Sequence, residues 1–424
     1  MTQKKVMPKL QGELFPLDLS QGPPNEGEEE NEVTSSRIYA MVKPEMLVWA
    51  RQYAYFQVEE AAKRIGITIE KLQNWEAGIS SPTINQLHKI ANVYQQSFAV
   101  FYLPKPPRPA SLPVKDFRRI PTDGILVISP ELAHEIRFAV YRREIALQLQ
   151  ENTEEEVLQF GYSASMQDRP ADLAKKIRSL VFSDVKQAPS FKDKAKTFAF
   201  FREKLEALGI LVFQSGTVST NEMRGFSINE ATLSIIVVNR KDSYPGRIFS
   251  LFHELTHVLL RTSGLCDIDP DIAQSSEEQK FEIFCNQVAA DVLMPEQEFR
   301  DSVSRILKGN QVSGFSDGTI SRLSDEFGVS REAVVRRLLT LNLVNNAFYQ
   351  IKRNQYIQEL ANRPTKKGGR GMPPARNLIS LAGKPYVRIV FRAINSNRIT
   401  INDASGYLNV RVKHFSTLSQ LAGV

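Results

Sequence analysis

Two histidines and a glutamate in one short apolar stretch have the types and spacing of a zinc hydrolase site. The stretch Phe249–Leu260 reads FSLFHELTHVLL and contains an HExxH pattern from His253 to His257. Residues four apart lie on one face of a helix, so both imidazoles can reach one ion. Glu254, beside the first histidine, is then placed to take a proton from the metal-bound water. The plainer interpretation is an amphipathic core helix with two packed histidines.

The flanking residues favour a helix over this stretch. Ser243 and Pro245 are helix-start residues, and Gly264 is the expected stop. The apolar positions recur at helical spacing and form one stripe. The stripe consists of Phe249, Phe252, Leu255 and Leu259, and is widened by Leu251 and Val258.

A hydrolytic zinc site leaves one coordination position for water, so a third protein ligand is needed. The next helix is predicted to begin at a capping box, Ser275–Glu278, to run to Val292 and to end before Pro295. Glu282 lies on its otherwise apolar face, where a carboxylate needs a partner.

We favour Glu282 as the third ligand, because two histidines and a glutamate are an established hydrolytic set. Two alternatives stay open. Glu282 could be a solvated neighbour of Lys280, or Cys285 on the same face could itself be the ligand.

These segments together resemble the ImmA/IrrE family of metallopeptidases. The strand-like Leu233–Val238 and the HExxH stretch precede Glu282–Pro295, which reads EIFCNQVAADVLMP. The family's second motif is roughly E-x-x-A-N-x-F-A-A-x-L-L-M-P. The chain departs from the family at Cys285, Val288 and Thr256, none of them a predicted ligand. The resemblance is strongest over residues 190–345.

The resemblance implies a gluzincin-like zinc (Zn2+) site with His253, His257 and Glu282 as ligands and Glu254 as catalytic base. It also implies a metalloprotease, that is, a hydrolase acting on a protein substrate, often a repressor. In that mechanism, water activated by the metal attacks a peptide carbonyl while Glu254 carries its proton to the leaving amine.

The whole chain has an ordinary globular composition. Its 424 residues are 42% apolar and 24% charged, and this length predicts two to four domains. Two cysteines, Cys266 and Cys285, argue against a disulfide framework and fit a reducing cytosol. With neither an apolar run of membrane-spanning length nor a signal-peptide core, we expect a soluble cytoplasmic protein without membrane contacts.

The predicted fold class is multidomain and mainly α, with an α+β zinc metallopeptidase domain and an all-α N-terminal domain. Composition and pattern divide the chain into five segments. They are a disordered acidic tail of net charge −4 (1–36), a helix-turn-helix domain (37–104), a Pro-rich linker and helical connector (105–185), the peptidase domain (186–345) and a basic C-terminal region (346–424).

Short helices joined by a glycine turn predict the helix-turn-helix domain. Leu47–Arg51 opens a helix, Val58–Ile65 is a second, Gly66 makes the turn, Thr68–Glu76 is the third, and Ile84–Tyr94 closes the set. The pattern A-x-x-x-G-I-T-x-x-x-L-x-x-W-E-x-G-x-x-x-P resembles the Xre or lambda-repressor-like family. The resemblance implies a set of DNA-facing residues on the third helix. These are Thr68, Glu70, Lys71, Gln73 and Asn74.

The charge of this domain leaves a second interpretation open. Residues 41–104 hold six Lys or Arg against five Glu, a net charge of only +1, which provides little phosphate neutralisation. Base-edge contacts by Gln73 and Asn74 would still give sequence preference. We favour DNA binding over a protein-docking role.

The remaining predictions concern the connector and the peptidase sheet. Long helices are expected from Ser129 to about Gln150 and over Arg169–Phe182. In the peptidase region a helix, Phe191–Leu208, leads into a strand, Ile210–Gln214, and the segment Arg224–Ser227 follows. Leu233–Val238 is the candidate edge strand for a bound substrate, with an interior strand as the alternative. A second helix-turn-helix pattern, Thr319–Leu341, is expected to be structural.

The C-terminal region carries most of the positive charge. Residues 346–424 have a net charge of +11, more than the +7 of the whole chain. Residues 366–371 are expected to be a mobile tether, followed by a short folded piece made of Tyr386–Ile394 and Ile399–Leu408. Such a region either binds nucleic acid or an acidic partner, or is a solvated face.

Three functions follow from these patterns. The first is a zinc endopeptidase whose helix-turn-helix domain brings it to DNA or a DNA-bound repressor. The second is a transcription regulator whose peptidase fold only senses a signal, and the third is an antitoxin-like binder. We favour the first because Glu254 has no use in a site kept only as a scaffold. Helix-turn-helix domains often act as homodimers, which is possible here.

Overall fold

The structure is a computed structural model and describes most of the chain. The described residues are 38–107, 112, 115–116, 128–151, 160–182, 191–262, 264–266, 276–308, 314–361 and 371–424. The predicted acidic tail, part of the Pro-rich linker, Ser275 of the predicted capping box and residues 366–370 of the predicted tether lie outside these residues.

The described chain is mainly helical with one small sheet, as the sequence predicts. The helices are α1 (Pro44–Tyr53), α2 (Val58–Ile65), α3 (Ile69–Glu76), α4 (Ile84–Tyr94), α5 (Pro130–Gln150), α6 (Pro170–Phe182), α7 (Lys194–Ala207), α8 (Tyr244–Leu259), α9 (Ser276–Leu293), α10 (Glu296–Lys308), α11 (Asp317–Phe327), α12 (Arg331–Thr340), α13 (Asn346–Ala361), α14 (Pro374–Asn395), α15 (Ile401–Leu408) and α16 (Phe415–Ala422). The strands are β1 (Lys115–Asp116), β2 (Leu211–Ser215), β3 (Gly225–Ile228), β4 (Ile235–Asn239) and β5 (Gly264–Cys266).

The chain divides into two compact units. The first contains α1–α4, the start of α5 to His134, and Ile399–Val412. The second contains the sheet, α6–α14, the rest of α5, and Lys413–Val424. The five-segment division predicted from the sequence stays a prediction.

The four helices α1–α4 enclose their own apolar core. Leu72 and Trp75 of α3 are buried in it together with Met46 and Leu87. Thr68 caps α3 by accepting from Lys71 N, and Thr83 forms a capping box with Gln86 at the start of α4. These contacts position α3 with its polar face outward.

The sheet has the strand order β1-β5-β3-β4-β2. β2 pairs with β4 in parallel, and β3 lies antiparallel to both β4 and β5. Its apolar residues join those of the helices from α6 to α13 in one core. α8 packs against β3, β4 and α9, and this packing holds the HExxH helix under the sheet.

The candidate edge strand is an interior strand. β4, which covers most of Leu233–Val238, has β3 on one side and β2 on the other. The edge assignment is therefore wrong, and the interior alternative is correct. Every residue of β4 is buried, as expected for a strand covered on both faces.

The expected stop of the motif helix is also displaced. α8 ends at Leu259, and Arg261 adopts a positive φ of 56° just beyond it. Gly264 instead begins β5. The helix ends one turn earlier because the chain turns back there to join the sheet.

α14 is interrupted where it passes β2. Gly383 has a φ of 77° inside the helix, and a Cβ there would clash with Glu206 Oε1 and lie 2.8 Å from Arg202 Nη2. Arg202 Nη1 also donates to the carbonyl of Ser380 at 2.7 Å. The close approach of this buried ion pair requires glycine at position 383.

Candidate metal centre

α8 begins where the sequence places helix-start residues. The hydroxyl of Ser243 accepts from Gly246 N at 3.2 Å, and Pro245 occupies the first turn. The predicted apolar stripe faces the core, since Phe252, Leu255 and Leu259 are all buried. The HExxH residues His253, Glu254 and His257 are buried together with this stripe.

The structure brings His253, His257 and Glu282 together. The Nε2 atoms of the two histidines are 3.2 Å apart. The Glu282 carboxylate lies 3.2 Å from His253 Nε2 and 3.3 Å from His257 Nε2. All three side chains are buried, with the glutamate only 3% exposed. Among the described residues, this is the group whose donor atoms converge on one point.

Hydrogen bonds on the far side of each ring fix which nitrogen faces the centre. His253 Nδ1 lies 3.0 Å from Asn286 Oδ1, which can only accept, so Nδ1 carries the proton. His257 Nδ1 lies 3.0 Å from Thr262 Oγ1, whose hydroxyl donates to the His257 carbonyl. Both Nε2 atoms therefore present lone pairs to the centre.

This arrangement fits a bound cation. Two lone pairs and a carboxylate would face one another at about 3.2 Å with nothing positive between them. Neither carboxylate oxygen of Glu282 has a hydrogen-bond donor within the described structure, although both are buried. Two imidazoles and a carboxylate suit zinc, and three protein ligands leave a fourth position for water.

The pKa shifts of His253, His257 and Glu282 also indicate that a positive charge would stabilise this group. Burial lowers the pKa of His253, but proximity to Glu282 outweighs burial and raises the pKa above its usual value. Burial lowers the pKa of His257. Burial raises the pKa of Glu282, but the two histidines outweigh it and lower the pKa to about 2. The carboxylate is thus kept charged in a buried site.

Glu254 is buried next to this group without belonging to it. The strand β3 passes directly over it at Gly225. A Cβ at Gly225 would lie 2.9 Å from Glu254 Oε1 and 3.1 Å from the carbonyl oxygen of Val237. The absence of a side chain at Gly225 leaves room for the Glu254 carboxylate beside the centre.

The two rival assignments for the third ligand find no support in the geometry. Lys280 is exposed while Glu282 is buried, so Glu282 is not a solvated neighbour of Lys280. Cys285 is buried, and burial raises the pKa of its thiol well above the usual value. The thiol of Cys285 is not among the donor atoms that converge with those of His253 and His257.

Sequence reasoning missed three residues of this site. Asn286 lay on the predicted helix face, but its hydrogen bond to a histidine ring was not anticipated. Thr262 follows the motif helix, and only the turn after α8 brings its hydroxyl to His257. Gly225 lies on a different strand, and its role depends on the tertiary approach of β3 to α8.

A cavity of the second unit lies away from this centre. It has a volume of about 880 Å³ and contains none of the three converging residues. Four of its five charged lining residues form ion pairs, Arg178 with Glu298 and Arg305 with Glu326. We assign it no role.

The predicted DNA face of α3 is exposed. Of its five residues, Thr68, Glu70, Lys71 and Gln73 are exposed and Asn74 is half-buried. Arg51, counted among the basic residues, is instead held by Glu76 through bonds of 2.7 and 2.8 Å. Because Glu76 neutralises Arg51, few positive charges of the domain are available to bind phosphate, in line with the net charge of only +1 over residues 41–104.

Two family models match this chain, one in the predicted helix-turn-helix domain and one in the predicted peptidase domain. The helix-turn-helix family matches residues 49–101, and the IrrE N-terminal-like domain matches residues 205–339. The chain carries these two domains in this order. The IrrE-like match includes α8 and α9 and therefore all three converging residues, and the helix-turn-helix match includes the whole of α3. The predicted family resemblances are confirmed.

Similarity to individual proteins is weaker. One similar structure is a Mycobacterium tuberculosis transcriptional regulator, with 15% identity and a TM-score of 0.27 over 48% of this chain and 52% of that chain. No curated protein matches the chain. None of the described helices is long and apolar enough to cross a membrane.

Proposed function

We propose that this chain is a zinc-dependent endopeptidase joined to a DNA-binding helix-turn-helix domain, and that it cleaves a repressor-like protein. The observation that most directly supports the proposal is the convergence of His253 Nε2, His257 Nε2 and the Glu282 carboxylate beside a buried Glu254. A bound zinc would activate a water molecule and polarise a peptide carbonyl.

Each residue then has a defined task. Asn286 and Thr262 hold the two imidazole rings so that their Nε2 atoms face the metal. Glu254 accepts the proton of the attacking water and passes it to the leaving amine. The buried surroundings of Glu254 exclude bulk water from that transfer.

The test is a search for new protein N-termini. Purified wild-type protein, loaded with zinc, is incubated with a cell extract of its source, and new N-termini are labelled and sequenced. Glu254→Gln serves as the matched control because it keeps all three ligands. We expect a small set of cleavages with the wild type and none with the variant. Zinc binding without any Glu254-dependent cleavage would refute the endopeptidase.

The DNA-binding part of the proposal rests on the exposed face of α3. Gln73 and Asn74 carry the amide groups suited to reading base edges, while Lys71 is placed for a phosphate. Replacing Gln73 and Asn74 by Ala should reduce discrimination among sequences selected from a random duplex pool. Unchanged sequence preference would contradict this assignment.

A further inference from the structure

The proposed catalytic centre is closed to a peptide in this structure. The three converging residues and Glu254 have exposed fractions between 0% and 3%. An endopeptidase must bring a peptide carbonyl to the fourth position of its metal, beside the base. Side chains buried this deeply cannot meet a protein substrate, so part of the structure must move away before cleavage.

The sheet edge nearest the base is filled by a strand of the same chain. Gly225 of β3 passes directly over Glu254. β5 runs antiparallel to β3 on the side away from β4, and Cys266 is paired with Gly225. The backbone of β5 therefore lies about 4.8 Å from the strand residue that contacts the base. An extended substrate that adds to a sheet edge would need the same hydrogen-bonding groups of β3.

β5 is short enough to be displaced. It has three residues, Gly264–Cys266, and its outer neighbour β1 has only two, Lys115–Asp116. β2 and β4, by contrast, pair over five residues, close to the common strand length of about five or six. Local opening costs least where few backbone hydrogen bonds must break. β1 and β5 are therefore the strands of this sheet that open most readily.

The end of the motif helix allows β5 to move without the ligands. Thr262 is held against His257, since its amide donates to the His257 carbonyl at 2.9 Å and its hydroxyl lies 3.0 Å from His257 Nδ1. β5 begins two residues further along, at Gly264. The chain can therefore bend after Thr262 while the ring of His257 stays in place.

We propose that β5 occupies the substrate edge of β3, and that an extended peptide of the substrate replaces it there during cleavage. This inference rests on the proposed function, because it concerns access to the same metal centre. β1 holds β5 from outside, since Lys115 and Asp116 pair in parallel with Gly264 and Leu265. The closed form is inactive until β5 is displaced.

The experiment measures how readily a small ligand reaches the metal. The full chain is loaded with Co2+ in place of zinc, because the visible absorption of bound cobalt changes when a ligand enters its fourth position. The probe is acetohydroxamate, which binds such a metal through two oxygens. Its apparent Kd is the intrinsic Kd divided by the open fraction of the protein, so a variant that opens β5 should bind it more tightly.

Leu265→Pro opens β5 directly. β5 is paired on both sides, so proline here removes a ladder hydrogen bond whichever neighbour the amide faces. Acetohydroxamate should bind about tenfold more tightly than to the wild type. Circular dichroism and cobalt content check that the variant is folded and loaded.

A second variant leaves β5 itself unaltered. Lys115→Pro with Asp116→Pro removes both amides of β1 and so weakens the outer support of β5. It should also tighten acetohydroxamate binding, by less than Leu265→Pro because the pairing of β5 with β3 remains. If Leu265→Pro does not fold, this variant decides.

Lys194→Pro is the matched control for the introduction of a proline. Lys194 is the first residue of α7, where proline is tolerated, and Asp193 before it already has an extended backbone. The affinity for acetohydroxamate should equal that of the wild type.

The outcomes separate this inference from the proposed function. A folded wild-type chain that binds neither zinc nor cobalt would overturn both. Cobalt binding with the same acetohydroxamate affinity in the wild type and in the β5 and β1 variants would overturn this inference alone. Equal tightening in Lys194→Pro would also contradict it, because the effect would then be a general loosening of the fold.

Discussion

Gly225 and Glu254 come so close that a side chain at the strand residue would displace the Glu254 carboxylate. A Cβ at Gly225 would lie 2.9 Å from the carboxylate oxygen and 3.1 Å from Glu254 Cγ. Because the strand backbone is paired on both sides, Glu254 would have to move instead. The position of the proposed base is therefore set by a residue in a different element.

Gly225→Ala should separate zinc binding from catalysis. Moving Glu254 should reduce cleavage by tenfold or more, roughly as expected for a displaced catalytic group. Zinc content should be unchanged because the three ligands are untouched, and the free energy of unfolding should fall by about 1–3 kcal/mol. The measurements are cleavage rate, zinc content and urea unfolding.

Gly161→Ala is the control for that substitution, because nothing lies within 4 Å of a Cβ at this position. It should leave cleavage unaltered. Equal cleavage by Gly225→Ala and the wild type would show that Glu254 is not held by this contact.

The hydroxyl of Thr262 should contribute to zinc affinity through His257. Thr262→Val keeps the shape of the side chain but removes the acceptor for His257 Nδ1. Loss of such a ring contact typically lowers metal affinity by about 10–100-fold. Competition with a chromogenic chelator measures the affinity.

Thr256→Val is the matched control because it removes a buried hydroxyl of α8 itself, close in sequence to His257. That hydroxyl donates to the Phe252 carbonyl at 2.8 Å and touches neither ligand ring. Zinc affinity should be retained in Thr256→Val. If both variants lost affinity equally, the effect would come from helix packing and not from ring orientation.

The pair Arg51–Glu76 should be essential for the stability of the helix-turn-helix domain. Both side chains are nearly buried, with exposures of 13% and 10%, and the hydrogen bond to Glu76 raises the pKa of Arg51. Arg51→Ala leaves Glu76 buried without its cation and should lower the free energy of unfolding by about 3 kcal/mol. Chemical unfolding followed by tryptophan fluorescence reports on this domain through Trp49 and Trp75.

Arg64→Ala provides the comparison. Arg64 pairs with Glu60 and Glu131 but is 47% exposed, so its loss should lower stability by less than about 1 kcal/mol. Similar effects of the two arginine variants would mean that burial does not set the strength of the Arg51 pair.

Asp317 should make stability dependent on pH. Its carboxylate accepts from Lys352 at 2.9 Å and from Gln355 at 3.2 Å, and these bonds lower its pKa below the usual value. Since the unfolded state then binds more protons, the stabilisation is present above the unfolded pKa of about 3.8 and is lost as the pH falls below it.

Asp317→Asn should therefore reduce stability near neutral pH but not in acid. Because the side chain is 46% exposed, the difference from the wild type should be under about 1 kcal/mol. Urea unfolding across a pH series measures it. A difference that stayed constant down to the acid end would rule out ionised Asp317 as the cause.

Much of the site was predictable because it depends on local sequence. The spacing of His253 and His257 and the start of α8 at Ser243 are properties of one helix. Glu282 was found because a carboxylate on an apolar helix face needs a partner. The turn at Gly66 was likewise visible in the residue type.

The failures concern tertiary placement. β4 was assigned to an edge although its run of Ile and Val favours a strand covered on both faces, and its neighbours come from distant parts of the chain. Gly264 was predicted to end the helix because glycine is common just after helix ends. Here the glycine instead begins a strand.

The central claim is tested most directly by the zinc content of the purified full chain. Wild type, Glu282→Ala and Glu254→Gln are measured by elemental analysis after dialysis against zinc-free buffer. We predict about one zinc per chain in the wild type and in Glu254→Gln, and its loss in Glu282→Ala. A folded wild-type protein that binds no zinc would contradict the account.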